Sequence, residues 1–424
     1  MPTDIDPVTR IFAYIIILGF VAAPIVAVYT LYLIYLHSQL QWAIKHARRY
    51  SVCPACHRII QLTIFQCNVC GQAHELIPVE KEVFYKKCSC GNRLPKLPCY
   101  GRDDLVALCP YHQTYCFPIG KHPGKYPEVV IPIIGGTSTG KSAFLAAWTV
   151  YAQGQLKNQY GVDITYPFEG GNYYAKNCVE QFQVGKAPHK TNVRNTIGFG
   201  MDIVSRVKRK GGMRLFLYDV AGEVFNPLDG ISENSLSSFG YYDFMDGVIF
   251  VIDPFSLPAF QQTLQRKHPQ TSLENLLKSH GIGASDKQTA DTCEKFIRGL
   301  YDHNLARNEY HYASCTVVIT KADAFDLDSL IGKTAAQKRM ADNPKLSFAD
   351  ALDEVCSSQL EAWGMGRVIA LLENHFKEVR FFSVSAFGHS PQPGVPFTPQ
   401  RIELPILWLL SKHKSKVLRS RCKR

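Results

Sequence analysis

The sequence predicts an α/β fold: a mostly parallel sheet with one antiparallel strand, preceded by an N-terminal transmembrane helix and a small cysteine-rich domain. Three observations carry this. Short β-branched and aromatic runs recur between stretches of helical periodicity, which is the pattern of strands alternating with covering helices. One such run enters "VVIPIIGGTSTGKSAF" (129–144), where a glycine-rich turn joins a strand to a helix. A hairpin pattern, "FGMDIVSRVKRKGGMRLFLYD" (199–219), turns at Lys210-Gly211-Gly212 and supplies the antiparallel strand.

The chain has 424 residues, room for two or three domains. Its 46% hydrophobic and 12% aromatic content belongs to a folded protein. Net charge is +11, densest in "KHARRY" (45–50) and in the tail "SKHKSKVLRSRCKR" (411–424). Clusters of this kind serve anionic surfaces or simply a solvated face.

Residues 11–36, "IFAYIIILGFVAAPIVAVYTLYLIYL", contain no charge. At about 1.5 Å per residue the run reaches roughly 39 Å, enough to cross a bilayer with tilt. A signal peptide would have a shorter core and a basic start, whereas Asp4 and Asp6 precede Arg10 here. Lys45, Arg48, Arg49 and Arg58 follow the run, so the positive-inside bias expects a single pass with the C-terminal bulk in the cytoplasm. A linker helix is expected over 37–51, a cysteine-rich region over 52–118, the α/β domain over 127–412 and a basic tail over 413–424.

Nine of the fourteen cysteines fall between 53 and 116. "CPAC" (53–56) and "CNVC" (67–70) have the spacing of zinc knuckles, each giving two thiolates from one tight turn. Cys53, Cys56, Cys67 and Cys70 are therefore expected to bind one Zn2+ as a zinc ribbon. Cys88, Cys90, Cys109 and His112 are expected to form a second site, with Cys99 and Cys116 competing for its fourth position. Disulfides are the alternative, and a cytoplasmic setting argues against them. Few aromatics alternate with basic residues here, which disfavours nucleic acid and favours a structural or protein-docking role.

The glycine-rich turn fits G-x-x-x-x-G-K-[ST], with Gly135, Gly136, Thr137, Ser138, Thr139, Gly140, Lys141 and Ser142. In such a P-loop, backbone N–H groups curl around a phosphate, the lysine adds a point charge and the serine hydroxyl meets Mg2+. "RLFLYDVAGE" (214–223) ends a strand in D-x-x-G, where Asp219 suits Mg2+ through water and the Gly222 N–H suits a γ-phosphate. "TVVITKAD" (316–323) ends another: Asp323 can accept two hydrogen bonds from guanine, and the Lys321 stem can cover its face. "VRFFSVSAFG" (379–388) ends a third, with Ser385 and the Ala386 N–H, a donor for guanine O6.

Taken in this order, these motifs resemble the P-loop GTPases of the translation-factor and Ras-like (TRAFAC) class over about residues 127–412. With the upstream zinc ribbon and membrane span, the set GGTSTGKS, YDVAGE, ITKAD and SAFG is similar to the bacterial membrane-anchored "double-GTPase" family of predicted conflict systems. The resemblance implies binding and hydrolysis of GTP to GDP with Mg2+, and a protein partner: an activator, an effector or a second GTPase.

Departures matter. Thr320 stands where the class usually has Asn, so weaker base affinity is expected. Glu223 stands where many members place Gln, so slow intrinsic hydrolysis is expected. The switch threonine should precede the hairpin, at Thr196 or, second, Thr191. The stretches 150–195, 254–312 and 324–375 exceed ordinary connections and suit partner binding or regulation. Two other readings stay open: an ATPase acting at the membrane, and a scaffold that holds nucleotide without turnover.

Overall fold

The structure is a computed structural model. It describes residues 50–413 apart from 54–57, 80–81, 112–116, 121–124, 188–197, 208–210, 220–244, 283–288 and 308–312 and single residues 168, 281 and 393. Before residue 50 it describes mainly a helix over 22–35. That helix lies inside the predicted span 11–36, most of whose other residues fall outside the described set. Among the described residues, no helix is long and apolar enough to cross a membrane.

The described chain divides into two compact units, one holding Gln61–Leu108 and the other Ser51–Ile60 with the chain from Cys109 onward. The smaller unit is built from three-residue strands. β1 (Ile64–Gln66) pairs antiparallel with β2 (Ala73–Glu75), and β3 (Tyr85–Lys87) with β4 (Arg93–Pro95). Its buried apolar side chains include Phe65, Leu76, Leu94 and Leu97. So small a core rarely holds a fold without a metal or disulfide.

The larger unit is a seven-stranded sheet between two layers of helices. After a short strand, β5 (Phe117–Gly120), its strands are β6 (Glu128–Ile134), β7 (Val162–Thr165), β8 (Gly198–Ser205), β9 (Gly212–Asp219), β10 (Gly247–Ile252), β11 (Ser314–Ile319) and β12 (Glu378–Ser383). They lie in the order β7-β8-β9-β6-β10-β11-β12. β8 is antiparallel to both β7 and β9, and the other pairs are parallel, so β8 is the single strand running against the rest. The strands that the apolar runs predict, 128–134, 197–208, 213–219, 247–253, 315–320 and 379–384, are all present, within three residues at every end. β7 was not foreseen; it sits within the predicted insertion 150–195.

Side-chain alternation explains why the sheet needs two covering layers. From β10, Val248, Phe250 and Ile252 join one core, while Ile249 and Val251 join the other. The first core is closed by α3 (Thr289–Arg307), α4 (Phe348–Leu360) and α5 (Gly366–His375), through Phe296, Leu352 and Leu372. The second is closed by α1 (Lys141–Tyr151), α2 (Glu169–Gln183) and α6 (Glu403–Lys412), through Trp148, Phe182 and Ile406. The helical pattern over 351–376 is broken between α4 and α5, where Gly364 takes a left-handed φ of 88°.

Between β8 and β9, Asp202 and Arg214 face each other in register and form a two-pronged pair, at 2.6 and 2.9 Å. Arg214 is 1% exposed and Asp202 5%. Removing one member strands a buried charge. Asp202→Ala is expected to lose about 3–5 kcal/mol of stability, read as the shift in denaturant midpoint.

Register also sets the level of the motifs. Ile252 pairs with Ile319, and Ile319 with Ser383. The residues that follow, Asp253, Thr320 and Val384, therefore leave the sheet side by side at its carboxyl edge. Ligands of open α/β sheets bind at this edge.

Candidate functional site

β6 ends at Ile134, and the chain turns at once into Gly135. A Cβ on Gly135 would stand 2.6 Å from the Val251 carbonyl oxygen and 2.9 Å from the Thr139 hydroxyl, so only glycine passes β10 this closely. Ser138 has a left-handed φ of 63° and Gly140 of 96°, which coil the loop before α1 starts at Lys141. The Thr139 hydroxyl donates to the Gly136 carbonyl at 2.9 Å and pins the coil from inside. Thr137 is half-buried.

Lys141 is buried, and its ammonium donates to the Gly135 and Gly136 carbonyls at 2.8 and 2.7 Å. The charge is thus held over the loop. The Ser142 hydroxyl donates to a carboxylate oxygen of Asp219, at the end of β9, at 2.7 Å. A hydroxyl and a carboxylate this close at a helix N-terminus form an oxygen pair suited to a hard cation such as Mg2+. The predicted residues Lys141, Ser142 and Asp219 are therefore brought together. Gly222, Glu223, Thr196 and Thr191 lie outside the described residues.

The second half of the site follows β11. The Thr320 hydroxyl donates to the Thr139 carbonyl at 2.8 Å, tying this strand end to the glycine loop. The brace expected of an amide is thus made by a shorter side chain. Lys321, Phe325 and Asp326 all have left-handed φ, of 58°, 50° and 57°. Such crowding of unfavourable backbone in non-glycine residues is concentrated at functional loops. Asp323 accepts a 2.5 Å hydrogen bond from the Ser385 hydroxyl, and Ser385 in turn accepts the Gly388 N–H at 2.7 Å. Ser385 is fully buried and Ala386 half-buried. One carboxylate is thereby oriented next to a loop of backbone donors.

Asp253 escaped the sequence reading. It follows β10, is fully buried, and its carboxylate sits 2.6 Å from the Lys321 ammonium. An acidic residue closing an apolar strand, "GVIFVID", was the available signal.

The metal pairing differs from expectation. The sulfurs of Cys67, Cys70, Cys88 and Cys90 all lie within 4.8 Å of one another. A tetrahedral Zn2+ with bonds of about 2.3 Å holds its sulfurs about 3.8 Å apart. Cys67 and Cys90 are 3.8 Å apart, and Cys70 and Cys88 are 3.4 Å. The set thus joins "CNVC" to "CSC", not to "CPAC". Each turn is closed alike: Cys67 N–H donates to the Gln72 carbonyl and Cys88 N–H to the Asn92 carbonyl, both at 2.8 Å. Gly71 and Gly91 take left-handed φ just after the second cysteine of each. The shared Cys-Gly ending was the signal in the sequence. Cys53 and Cys109 are buried in the other compact unit, and Cys56 and His112 lie outside the described residues.

Backbone N–H groups of Cys70 and Val69 draw the Cys67 thiol down to about 6. The Cys70 thiol is instead pushed up to about 12, the Gln72 N–H lowering it and the Cys88 sulfur raising it, so metal binding must displace protons from the cluster. His74 contributes a ring nitrogen 3.1 Å from the Cys88 sulfur, a partner of the kind that orients metal ligands.

No known protein-family model matches the chain, and no curated protein is significantly similar to it.

Proposed function

We propose that the chain is a membrane-anchored GTP-binding protein that hydrolyses GTP slowly with Mg2+ and works as a nucleotide-dependent switch. One observation carries the reading: the Thr320 hydroxyl on the Thr139 carbonyl joins a phosphate-type loop to a carboxylate, Asp323, that is oriented by Ser385. A phosphate cradle alone fits many nucleotides. A fixed carboxylate one loop away, able to accept from guanine N1 and N2, favours guanine over adenine, which presents no such donor pair.

In this reading, phosphate oxygens replace the Gly135 and Gly136 carbonyls on the Lys141 ammonium. Ser142 and Asp219 would hold Mg2+, which would neutralise charge on the outer phosphates. Water attacks the γ-phosphorus, the bond to the β,γ-bridging oxygen breaks, and GDP and inorganic phosphate leave. Glu223 follows the Asp219 strand end where a water-orienting amide is usual, and a carboxylate near phosphates accounts for slow turnover. A partner that supplies a cation would accelerate it. Segments 185–198 and 222–240 flank the γ-phosphate in sequence and would carry the switch.

The membrane anchor rests on the uncharged run 11–36 in the sequence, of which the described helix, by itself too short to span a bilayer, covers 22–35. Its apolar side chains stand exposed all round, Ile25 at 64% and Leu31 at 66%. A helix apolar on every side belongs in lipid or a protein core. The four-cysteine site holds Zn2+ as a structural or partner-docking element. By family resemblance, a bacterial conflict system is the proposed setting.

Asp323→Asn tests the base assignment. An amide puts a donor against guanine donors, so GTP affinity is expected to fall by about 100-fold, the price of an unmet buried hydrogen-bond pair. Equilibrium titration with GTP reads this directly, and an unchanged affinity would exclude guanine recognition by Asp323.

A further inference from the structure

We infer that Asp253 is a positioning residue for the nucleotide base, acting through Lys321. This rests on the guanine-nucleotide reading and deepens it: Asp253 would set how firmly any base is held, while Asp323 selects which base.

Asp253 is fully buried, and an isolated buried carboxylate is strongly unfavourable. An apolar residue at the end of β10 would pack at no such cost. Here one oxygen accepts the Phe255 N–H at 3.0 Å and the other meets the Lys321 ammonium at 2.6 Å. The first bond fixes the carboxylate within its own turn, Pro254–Ser256. The second reaches across to the neighbouring strand end, because Ile252 and Ile319 are in register.

The consequence falls on Lys321. Its ammonium is drawn inward onto Asp253, 5.9 Å from the centre of the buried Phe255 ring. A lysine free to rotate would spend its time in solvent, since fixing so long a side chain opposes its rotamer entropy. Tethered at its tip, the side chain has its methylene stem confined to the turn that leads to Asp323, where the Lys321 backbone has a left-handed φ of 58°. A planar base then meets an apolar surface in place of a mobile charge. Thr320 cannot do this: its hydroxyl is committed to Thr139.

Asp253→Asn keeps the shape and the Phe255 acceptor but removes the charge. The full-length chain with Mg2+ is titrated with GTP and, separately, with inorganic tripolyphosphate, which has phosphates and no base. GTP affinity is expected to fall about tenfold, with tripolyphosphate affinity unchanged. A merely structural role would lower both together, and that result, or unchanged GTP affinity, overturns the inference. Asp253→Asn/Lys321→Met provides the second arm. It leaves no unpaired charge, and a thioether stem lies over Phe255 without a tether. GTP affinity of the double variant is expected to equal that of Lys321→Met alone, because a residue that acts only through Lys321 has no further effect once the lysine is gone. A double variant clearly weaker than Lys321→Met alone would show that Asp253 does not act through Lys321 and would overturn the inference. If the unaltered chain binds no GTP, the guanine reading fails and takes this inference with it. If it does bind GTP and Asp253→Asn changes nothing, the inference alone fails.

Discussion

Lys141→Ala is expected to lose at least about 100-fold in nucleotide affinity, because charge-assisted bonds to phosphate contribute about 1.5–3 kcal/mol each. The loss should not discriminate among bases: GTP, GDP and inorganic tripolyphosphate should all weaken. Thermal unfolding should shift little, since the ammonium donates to the Gly135 and Gly136 carbonyls of its own loop. Those carbonyls can turn to water when the lysine is gone. The measurement is equilibrium binding of each ligand, paired with a melting curve. Undiminished affinity in a folded variant would contradict the phosphate-loop assignment.

The second large effect concerns the metal. Cys88→Ser is expected to abolish Zn2+ binding at the four-sulfur site as completely as Cys67→Ser, because both sulfurs belong to one cluster. A ribbon made by "CPAC" and "CNVC" would be indifferent to Cys88. Cobalt substitution distinguishes the two, since four thiolates around Co2+ give strong sulfur-to-metal charge-transfer absorption that vanishes when one ligand is removed. Structural zinc contributes on the order of 10 kcal/mol to small domains at neutral pH. Loss of the metal should therefore unfold the strands of Gln61–Leu108, seen as rapid proteolysis within this segment. Affinity should also drop as pH falls, because protons compete with the metal for the thiolates. Retained cobalt absorption in Cys88→Ser would contradict the pairing.

Much of the fold was legible because its strands are fully buried. A run such as "GVIFVI" is apolar on both faces only in a sheet covered on both sides, and β10 and β11 lie within one residue of the expected 247–253 and 315–320. The hairpin was legible from its glycine turn. β7 was not, for a physical reason: "VDIT" is four residues long, with Val162 and Ile164 inward and Asp163 and Thr165 outward. So short an alternation at a sheet edge does not stand out from the helices around it. The broken helix near Gly364 has the same cause, since a single left-handed glycine leaves the apolar period almost intact.

The site was legible where chemistry and sequence spacing coincide, and opaque where it depends on contacts between distant segments. Lys141 and Ser142 are neighbours in one loop, so their roles could be read directly. The meeting of Ser142 with Asp219 followed from strand ends. Asp253 was missed because nothing near it in sequence reveals that Lys321 comes within 2.6 Å. The zinc pairing was misassigned because spacing describes each knuckle and not which knuckles meet. For the brace, the sequence shows that Thr320 keeps a hydroxyl but not that this hydroxyl reaches the Thr139 carbonyl.

The most direct test of the central claim is competition of GTP and ATP for the purified full-length chain in the presence of Mg2+, followed by release of phosphate. GTP should bind at least about tenfold more tightly than ATP, in keeping with about 1.4 kcal/mol or more from one selective carboxylate. Phosphate should then appear slowly. Equal affinities, preference for ATP, or no binding of either nucleotide would contradict the account.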